Sequence, residues 1–163
     1  MPKSRNEIVQ LCLNTLASLR QGFNCETDSI EIKREIPQNS RKAARLIAAA
    51  ANASDDDDVI WLIGIDEKTG QIEPAQKEEL SAWYQQLTRF FDGPSPRLRL
   101  VENVWVDEKP LVTLVFEGSE RPYVMKLDDG DSREIPWRQG NRTRSATREE
   151  LTVAPQCYWR SCR

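Results

Sequence analysis

The strongest constraint on the fold of this chain is the run VIWLIGI at residues 59–65, in which only Gly64 is not a large apolar residue. The run has the length of a strand, and it lacks the polar and apolar alternation of a strand with one face in water. Strands of this kind occur in sheets that are covered on both faces. The chain is therefore predicted to fold around a central strand in a layered arrangement of sheet and helices.

Three segments have the pattern of helices that could cover such a sheet. Apolar residues recur at helical spacing across residues 6–19, and an alanine-rich segment follows Ser40, which is predicted to cap it. The segment 75–91 carries an aromatic stripe, which is interpreted as a helix face packed in the core. A fourth, short helix is predicted at TREE, residues 147–150, because its threonine and last glutamate have the spacing of a capping box.

The first predicted strand, residues 29–34, alternates in polarity. Ile30 and Ile32 are expected to face the core and Glu31 and Lys33 to face water, because strand side chains alternate between two faces. Further strands are predicted at 98–106, 111–117, 122–127 and 134–138. The first two of these are separated by the turn sequence DEKP, which predicts an antiparallel hairpin. Together the elements predict an α/β (α+β) fold with a mixed, mostly antiparallel sheet covered by helices.

Length and composition limit the classes of function. With 163 residues the chain has the length of one domain, predicted to span residues 1–163. Hydrophobic residues make up 39% of the chain and charged residues 30%, which is typical of a soluble protein. No apolar run is long enough for a membrane span or a secretory signal, so a cytoplasmic protein without a membrane partner is expected. The chain contains no histidine, which excludes Ser-His-Asp and Cys-His catalysis.

The four cysteines, Cys12, Cys25, Cys157 and Cys162, are predicted to be reduced thiols, because their spacing differs from that of a disulfide-rich secreted protein. The alternative is a four-cysteine zinc site, since Cys157 and Cys162 are close in sequence. Neither pair has the two-residue spacing that is typical of zinc ribbons and knuckles, so reduced thiols are preferred.

Charge is distributed unevenly along the chain, although the net charge is only −3. From Ser132 to the end there are seven arginines and three glutamates, so this part is basic. Arg138, Arg142 and Arg144 lie on or just after the last predicted strand, where a glycine-containing turn would present them to phosphates. Arg34 adds a positive charge at the end of the first strand. These four arginines predict a nucleic-acid partner.

Trp137 has two interpretations. It could stack on a nucleic-acid base next to the arginines. A single tryptophan in a short strand more often packs in the core, and core packing is preferred here.

Five short motifs follow one another along the chain: ETDSIEIK, AAAN, IGID, RPY and IPWRQGNRTRSATREE. In this order and spacing they resemble the Schlafen-type AlbA domain, a family described as DNA-binding. The resemblance covers about residues 24–151, so that the N-terminal helix and the basic C-terminal tail are additions to it. Two positions depart from the family pattern: a glycine pair is replaced by the acidic run that ends at Asp58, and a phenylalanine is replaced by Ala50. The acidic run is interpreted as a solvated loop.

The resemblance implies a metal-dependent nuclease. In some Schlafen proteins two glutamates and a strand-end aspartate bind a divalent cation and cleave structured RNA such as transfer RNA. These positions correspond here to Glu26, Glu31 and Asp66, with Lys33 beside them as a fourth catalytic residue. A carboxylate set without histidine suits Mg²⁺ or Mn²⁺, and no organic cofactor is expected.

The residues permit this arrangement if the chain bends. Glu31 and Lys33 share one strand face, because side chains repeat every two residues. Glu26 lies an odd number of positions from Glu31, so an unbroken strand would direct it to the opposite face, and a bend near residues 27–28 is predicted. The alternative is structural: Glu26 caps a helix or a turn, Glu31 pairs with Lys33 on a solvated strand face, and Asp66 caps the turn that follows its strand.

The sequence therefore predicts a Schlafen-like nucleic-acid-binding domain, with metal-dependent endoribonuclease activity on structured RNA as the preferred function. A non-catalytic DNA- or RNA-binding module is the second interpretation. A protein-interaction domain whose basic turn contacts an acidic partner is the third. Homodimerisation is left open.

Overall fold

The computed structural model describes residues 2–54, 58–74 and 80–153. These residues contain four helices, α1 (Arg5–Arg20), α2 (Ser40–Ala53), α3 (Leu80–Thr88) and α4 (Arg148–Val153). The strands are β1 (Ile30–Lys33), β2 (Asp58–Ile63), β3 (Arg97–Val106), β4 (Lys109–Glu117), β5 (Met125–Lys126), β6 (Arg133–Glu134), β7 (Pro136–Gln139) and β8 (Arg142–Ser145). The fold is a mixed α/β arrangement, as predicted.

The main sheet has four strands in the order β1-β2-β4-β3. β1 runs parallel to β2, whereas β4 is antiparallel to both β2 and β3. All six residues of β2 are buried, which confirms the prediction of a central strand covered on both faces. Parallel neighbours need a long crossover connection, and α2 lies in the connection between β1 and β2.

Helices cover both faces of this sheet. The side chains of β2 alternate between the two faces and pack against helices on each. Val59, Trp61 and Ile63 pack with α2 and α3 on one face. Ile60 and Leu62 pack with α1 on the other face. The sheet is therefore the middle layer of a three-layer structure. Among the described residues, no helix combines the length and the hydrophobicity that a membrane crossing requires.

The predicted helices are confirmed, but α2 has a different cap and α3 ends at Thr88, three residues before the predicted end. α2 is capped by Asn39 and not by Ser40, because the Asn39 Oδ1 accepts the Lys42 N–H at 2.9 Å. The described part of the third helix begins at Leu80, and the predicted residues 75–79 lie outside the described residues. Cys157 and Cys162 lie outside them as well, so the alternatives for the four cysteines stay open.

The predicted hairpin is present, with a shorter turn. β3 and β4 are joined by Asp107 and Glu108 alone, and both have a positive φ, 51° and 61°. Two residues of positive φ form the type of turn that matches the twist of antiparallel strands. β4 therefore begins at Lys109, two residues earlier than the DEKP turn predicted.

The strands near the C-terminus differ from the prediction. The segment predicted at 122–127 contains only the two residues of β5, and the segment 134–138 is divided between β6 and β7. β5 pairs with β6, and β7 pairs with β8, which was predicted only as a turn. The chain changes partners at Ile135, and the polar sequence RTRS of β8 has no hydrophobic alternation that could have indicated a strand.

Candidate functional site

Glu31, the predicted acidic site residue of the first strand, lies on β1 at the edge of the main sheet. Glu31 is only 5% exposed, so the prediction that it faces water is wrong. Arg138, from the β7–β8 hairpin, reaches this side of β1 and donates to Glu31 Oε2. Lys33 Nζ lies 2.5 Å from Glu31 Oε1. Both oxygens of this carboxylate are therefore held by cations, which compensates for the cost of burying its charge.

Glu26 joins this group through the predicted bend. The Thr27 N–H donates to Ile30 O at 3.2 Å, and the Ile30 N–H donates to the Thr27 hydroxyl at 3.1 Å, so the chain reverses here. The Glu26 carboxylate returns alongside β1, where it accepts the Ile32 N–H at 3.4 Å. Burial, and next the negative charge of Glu31, raise the pKa of Glu26 above its ordinary value. The β1 cluster is defined as Glu26, Glu31, Lys33 and Arg138.

Asp66 has a separate role at the end of β2. Its Oδ1 accepts the N–H of Lys68 at 2.8 Å and the N–H of Thr69 at 3.0 Å, which closes the turn after the strand. Its Oδ2 accepts from Arg34, which is also paired with Glu73 at 3.0 Å. The Thr69 N–H, and next the Lys68 N–H, lower the pKa of Asp66. Asp66 therefore caps a turn, as the structural alternative predicted.

The three predicted metal ligands do not form a metal centre in this arrangement. Within the part of the chain that the structure describes, no three carboxylate or thiol groups lie close enough together to hold an ion. Glu26 bonds to the backbone of β1, and both oxygens of Glu31 are engaged by Lys33 and Arg138. Asp66 is engaged by its own turn and by an arginine. Because Asp66 does not join the two glutamates and the oxygens of Glu31 are already engaged by cations, the predicted three-carboxylate site is not formed among the described residues.

The β7–β8 hairpin is held in place from its inner side. Arg138 Nε donates to Gly140 O at 2.9 Å, which ties β7 to its own turn. Arg45 of α2 donates to Thr143 O at 3.4 Å and makes two hydrogen bonds with Glu134, at 2.7 and 2.9 Å. Because α2 and β1 fix both strands, the hairpin is a preorganised ribbon.

The register of the hairpin decides which side chains form its outer side. Trp137 is paired with Arg144, and Gln139 is paired with Arg142, so these four share one face while Arg138 lies on the other. Trp137 is partly exposed and belongs to neither hydrophobic core of the described residues, so the interpretation of this tryptophan as a core residue is wrong. The ribbon face is defined as Trp137, Gln139, Arg142 and Arg144.

The four predicted phosphate-binding arginines lie in different environments. Arg138 is buried against the carboxylate of the β1 cluster, so the prediction that it contacts a ligand at the surface is wrong. Arg34 and Arg144 each pair with an acidic side chain at the surface. Arg142 is exposed and makes no side-chain hydrogen bond or ion pair with any residue that the structure describes. Only Arg142 therefore carries an unengaged charge among the four.

Asn52 is an important residue that sequence analysis did not single out. It belongs to the AAAN motif and is only 3% exposed. Its Nδ2 donates to Tyr123 O at 3.0 Å and to Pro136 O at 2.9 Å, and its Oδ1 accepts the Tyr123 N–H at 2.7 Å. One side chain thus joins the AAAN, RPY and IPW motifs. The available signal was a polar residue within an otherwise alanine-rich helix face.

A solved structure resembles this chain in fold. No family model matches the chain, and no curated protein matches it. The structure is similar to the crystal structure of the DIP2311 protein from Corynebacterium diphtheriae, with a TM-score of 0.56 and 20% sequence identity. The match covers 90% of this chain and 27% of that chain, so this chain spans about a quarter of the length of that protein. At this identity the similarity supports a shared fold alone, and the resemblance to the Schlafen-type AlbA domain stays a prediction.

Proposed function

We propose that this domain binds nucleic acid through the ribbon face of the β7–β8 hairpin. The observation that carries the proposal is the hairpin register, which groups Trp137 and Gln139 with Arg142 and Arg144 on one outer side. An aromatic ring, an amide and guanidinium groups are the side chains that stack on bases, bond to base edges and contact phosphates. Structured RNA is the preferred ligand because the sequence resemblance points to it, and DNA is the alternative.

The attachment of the ribbon supports this function. Arg138 and Arg45 hold its inner side, so the hairpin is already ordered before a ligand binds. Binding therefore does not include the entropic cost of ordering it. A two-stranded ribbon fits the major groove of DNA. On RNA the same side chains would contact unpaired bases and the phosphates around them, because the major groove of an RNA helix is too narrow.

Glu150 opposes binding at one end of the ribbon face. Arg144 makes two hydrogen bonds with the Glu150 carboxylate, at 2.6 and 2.8 Å, and this pairing lowers the pKa of Glu150 to about 2. The carboxylate is therefore ionised at neutral pH and competes with phosphate for Arg144. A phosphate offers Arg144 the same two-point hydrogen bonding as this carboxylate, so the two compete for one guanidinium group.

Cleavage of RNA is the second candidate function, and Glu26 favours it. Its raised pKa, caused by burial and by the charge of Glu31, brings it closer to the range in which a carboxyl group exchanges protons at neutral pH. Lys33 lies next to Glu31 and could offset negative charge on a phosphate. The metal-dependent form that the resemblance implies requires Asp66 to join the two glutamates, which it does not do among the described residues.

Fluorescence anisotropy with labelled transfer RNA, single-stranded RNA, and single- and double-stranded DNA tests the binding function. Trp137→Ala should weaken binding about 5- to 150-fold, because stacking on one base contributes ~1–3 kcal/mol. Arg142→Ala should weaken binding and reduce the slope of log K against log salt by about 1, because one phosphate contact is lost. Glu150→Gln should strengthen binding, because it frees Arg144.

Each of these variants has a matched control. Phe23→Ala and Arg89→Ala replace an exposed aromatic ring and an exposed arginine outside the ribbon face, and both should leave the affinity unchanged. Glu149→Gln removes the neighbouring exposed charge and should strengthen binding less than Glu150→Gln. Unchanged affinity in Trp137→Ala and Arg142→Ala, or an equal loss in the controls, would refute the ribbon face as the binding surface.

Incubation of the same RNAs with Mg²⁺, Mn²⁺ or a chelator separates cleavage from binding. Glu26→Gln is the informative variant, because Glu31→Gln would also leave Arg138 buried without its charged partner. Loss of cleavage in Glu26→Gln with unchanged affinity supports catalysis by the β1 cluster. Tight binding without cleavage under all three conditions leaves nucleic-acid binding as the function.

A further inference from the structure

β3 lies at the free edge of the main sheet. It is 10 residues long, and no strand of the described residues pairs with its outer side. The two-residue turn makes Val106 and Lys109 a hydrogen-bonded pair, so the N–H and C=O groups of Val101, Asn103 and Trp105 point away from β4. Such a row of outward backbone groups is a template for pairing with another strand.

One face of this edge carries two exposed apolar side chains. Val101 and Asn103 lie opposite Leu114 and Val112, on the side of the sheet that carries α2 and α3, and Trp105 lies on the same side. Val101 is 43% exposed and Trp105 is 66% exposed. Natural edge strands are usually protected by charged residues or prolines, and this face of the strand carries neither between these two residues.

The two ends of β3 carry opposite charges. Arg97 and Arg99 lie at its start, where they pair with Glu120 and Asp58. Asp107 and Glu108 form the turn at its end, where Asp107 pairs with Arg20. If two copies of the strand lay side by side in antiparallel order, the basic end of each would lie beside the acidic end of the other. Parallel order would bring like charges together. Because Arg97, Arg99 and Asp107 have ion-pair partners within their own chain, the antiparallel order avoids contacts between like charges and is favoured over the parallel order on that ground.

We propose that β3 pairs with β3 of a second copy of this chain, antiparallel about a two-fold axis, so that two four-stranded sheets become one continuous sheet. The register that sets Val101 opposite the partner's Trp105 places Asn103 on the axis and Arg99 opposite the partner's Asp107. In this register the two-fold axis generates the contact twice: Val101 of each copy lies opposite Trp105 of the other. Both exposed apolar side chains of each copy are therefore covered.

Sedimentation velocity of the full chain over a range of concentrations tests the association. A monomer–dimer equilibrium is expected. Val101→Lys and Trp105→Lys should each weaken dimerisation about tenfold or more, because a charge on an edge strand opposes pairing. Phe23→Lys is the control, because Phe23 is 61% exposed and lies outside β3. A chain that is monomeric at every concentration, or a dimer that Phe23→Lys weakens as strongly, would overturn the proposal.

Cysteine cross-linking tests the register. The background is a chain in which serine replaces Cys25, Cys157 and Cys162. Asn103→Cys should form a disulfide-linked dimer on mild oxidation, because directly opposed residues of such a pair have Cα atoms about 5.5 Å apart, within the range of a disulfide. Val101→Cys should cross-link far less, because its counterpart is Trp105. Preferential cross-linking at Val101→Cys, or none at Asn103→Cys, would overturn the proposed pairing.

Discussion

Replacing Asn52 by alanine should strongly destabilise the fold. Its side chain makes three buried hydrogen bonds, all with backbone groups: it donates to Tyr123 O and Pro136 O and accepts from the Tyr123 N–H. Through them α2 holds the segment before β5 and the first residue of β7. Alanine replaces none of these bonds, and the site is closed to bulk water because Asn52 is almost fully buried.

The expected magnitude follows from the backbone groups that are left behind. A typical hydrogen bond contributes about 0.5–1.5 kcal/mol net, whereas a buried donor or acceptor without a partner costs about 1–3 kcal/mol. With three such groups and partial relaxation of the chain around them, Asn52→Ala should lose about 3–5 kcal/mol in the free energy of unfolding. Domains have a total stability of about 5–15 kcal/mol, so the loss is a large fraction of it.

Urea unfolding followed by tryptophan fluorescence measures this loss as a lower transition midpoint at unchanged slope. Asn14→Ala is the matched control, because Asn14 is an exposed asparagine of α1 that accepts one hydrogen bond from Gln10 at 2.9 Å. It should change the free energy by less than about 0.5 kcal/mol. A loss below about 1 kcal/mol for Asn52→Ala, or no difference between the two variants, would refute the reasoning.

Two further predictions concern the β1 cluster and a turn. Burial and the charge of Glu31 raise the folded-state pKa of Glu26, so this residue's contribution to stability is lost as the pH rises through that pKa. Thermal unfolding at a series of pH values measures this effect. The stability of Glu26→Gln relative to wild type should increase as the pH rises above about 4.3, the ordinary glutamate pKa. A stability difference that does not change with pH would contradict the prediction. Gly70→Ala should destabilise the fold more than Gly130→Ala. Both glycines have a positive φ, 67° and 76°, so alanine is strained at either position. At Gly70 the added Cβ would also lie 2.8 Å from Arg20 Cγ, whereas at Gly130 it would meet no atom within 4 Å. Denaturant unfolding should place Gly130→Ala about 1–2 kcal/mol below wild type and Gly70→Ala lower still, and equal losses would argue against the contact.

Elements that depend on near neighbours could be predicted from the sequence. β2 was recognisable because a continuous apolar run indicates burial on both faces. The capping box of α4 is present as predicted, with the Thr147 N–H donating to the Glu150 carboxylate at 2.8 Å. The bend that returns Glu26 to β1 was predictable from the polar residues around it and from the odd spacing to Glu31.

The surroundings of the candidate site could not be predicted in the same way. Glu31 was expected to face water because its strand alternates, but a strand face is solvated only when nothing packs on it. The covering residue, Arg138, is 107 positions away along the chain. The same hairpin that buries Arg138 exposes Trp137, because neighbouring side chains of a strand point to opposite sides.

The order of residues decided the central strand, the helices and the turn chemistry of this protein, since each follows from periodicity or capping over a few positions. Tertiary packing decided which charges are buried, which of the four candidate arginines is unengaged and which side of the last hairpin faces outward. The physical reason is that burial depends on contacts between segments far apart in the chain. The type of a side chain and its immediate neighbours in sequence do not determine which distant segment will pack against it.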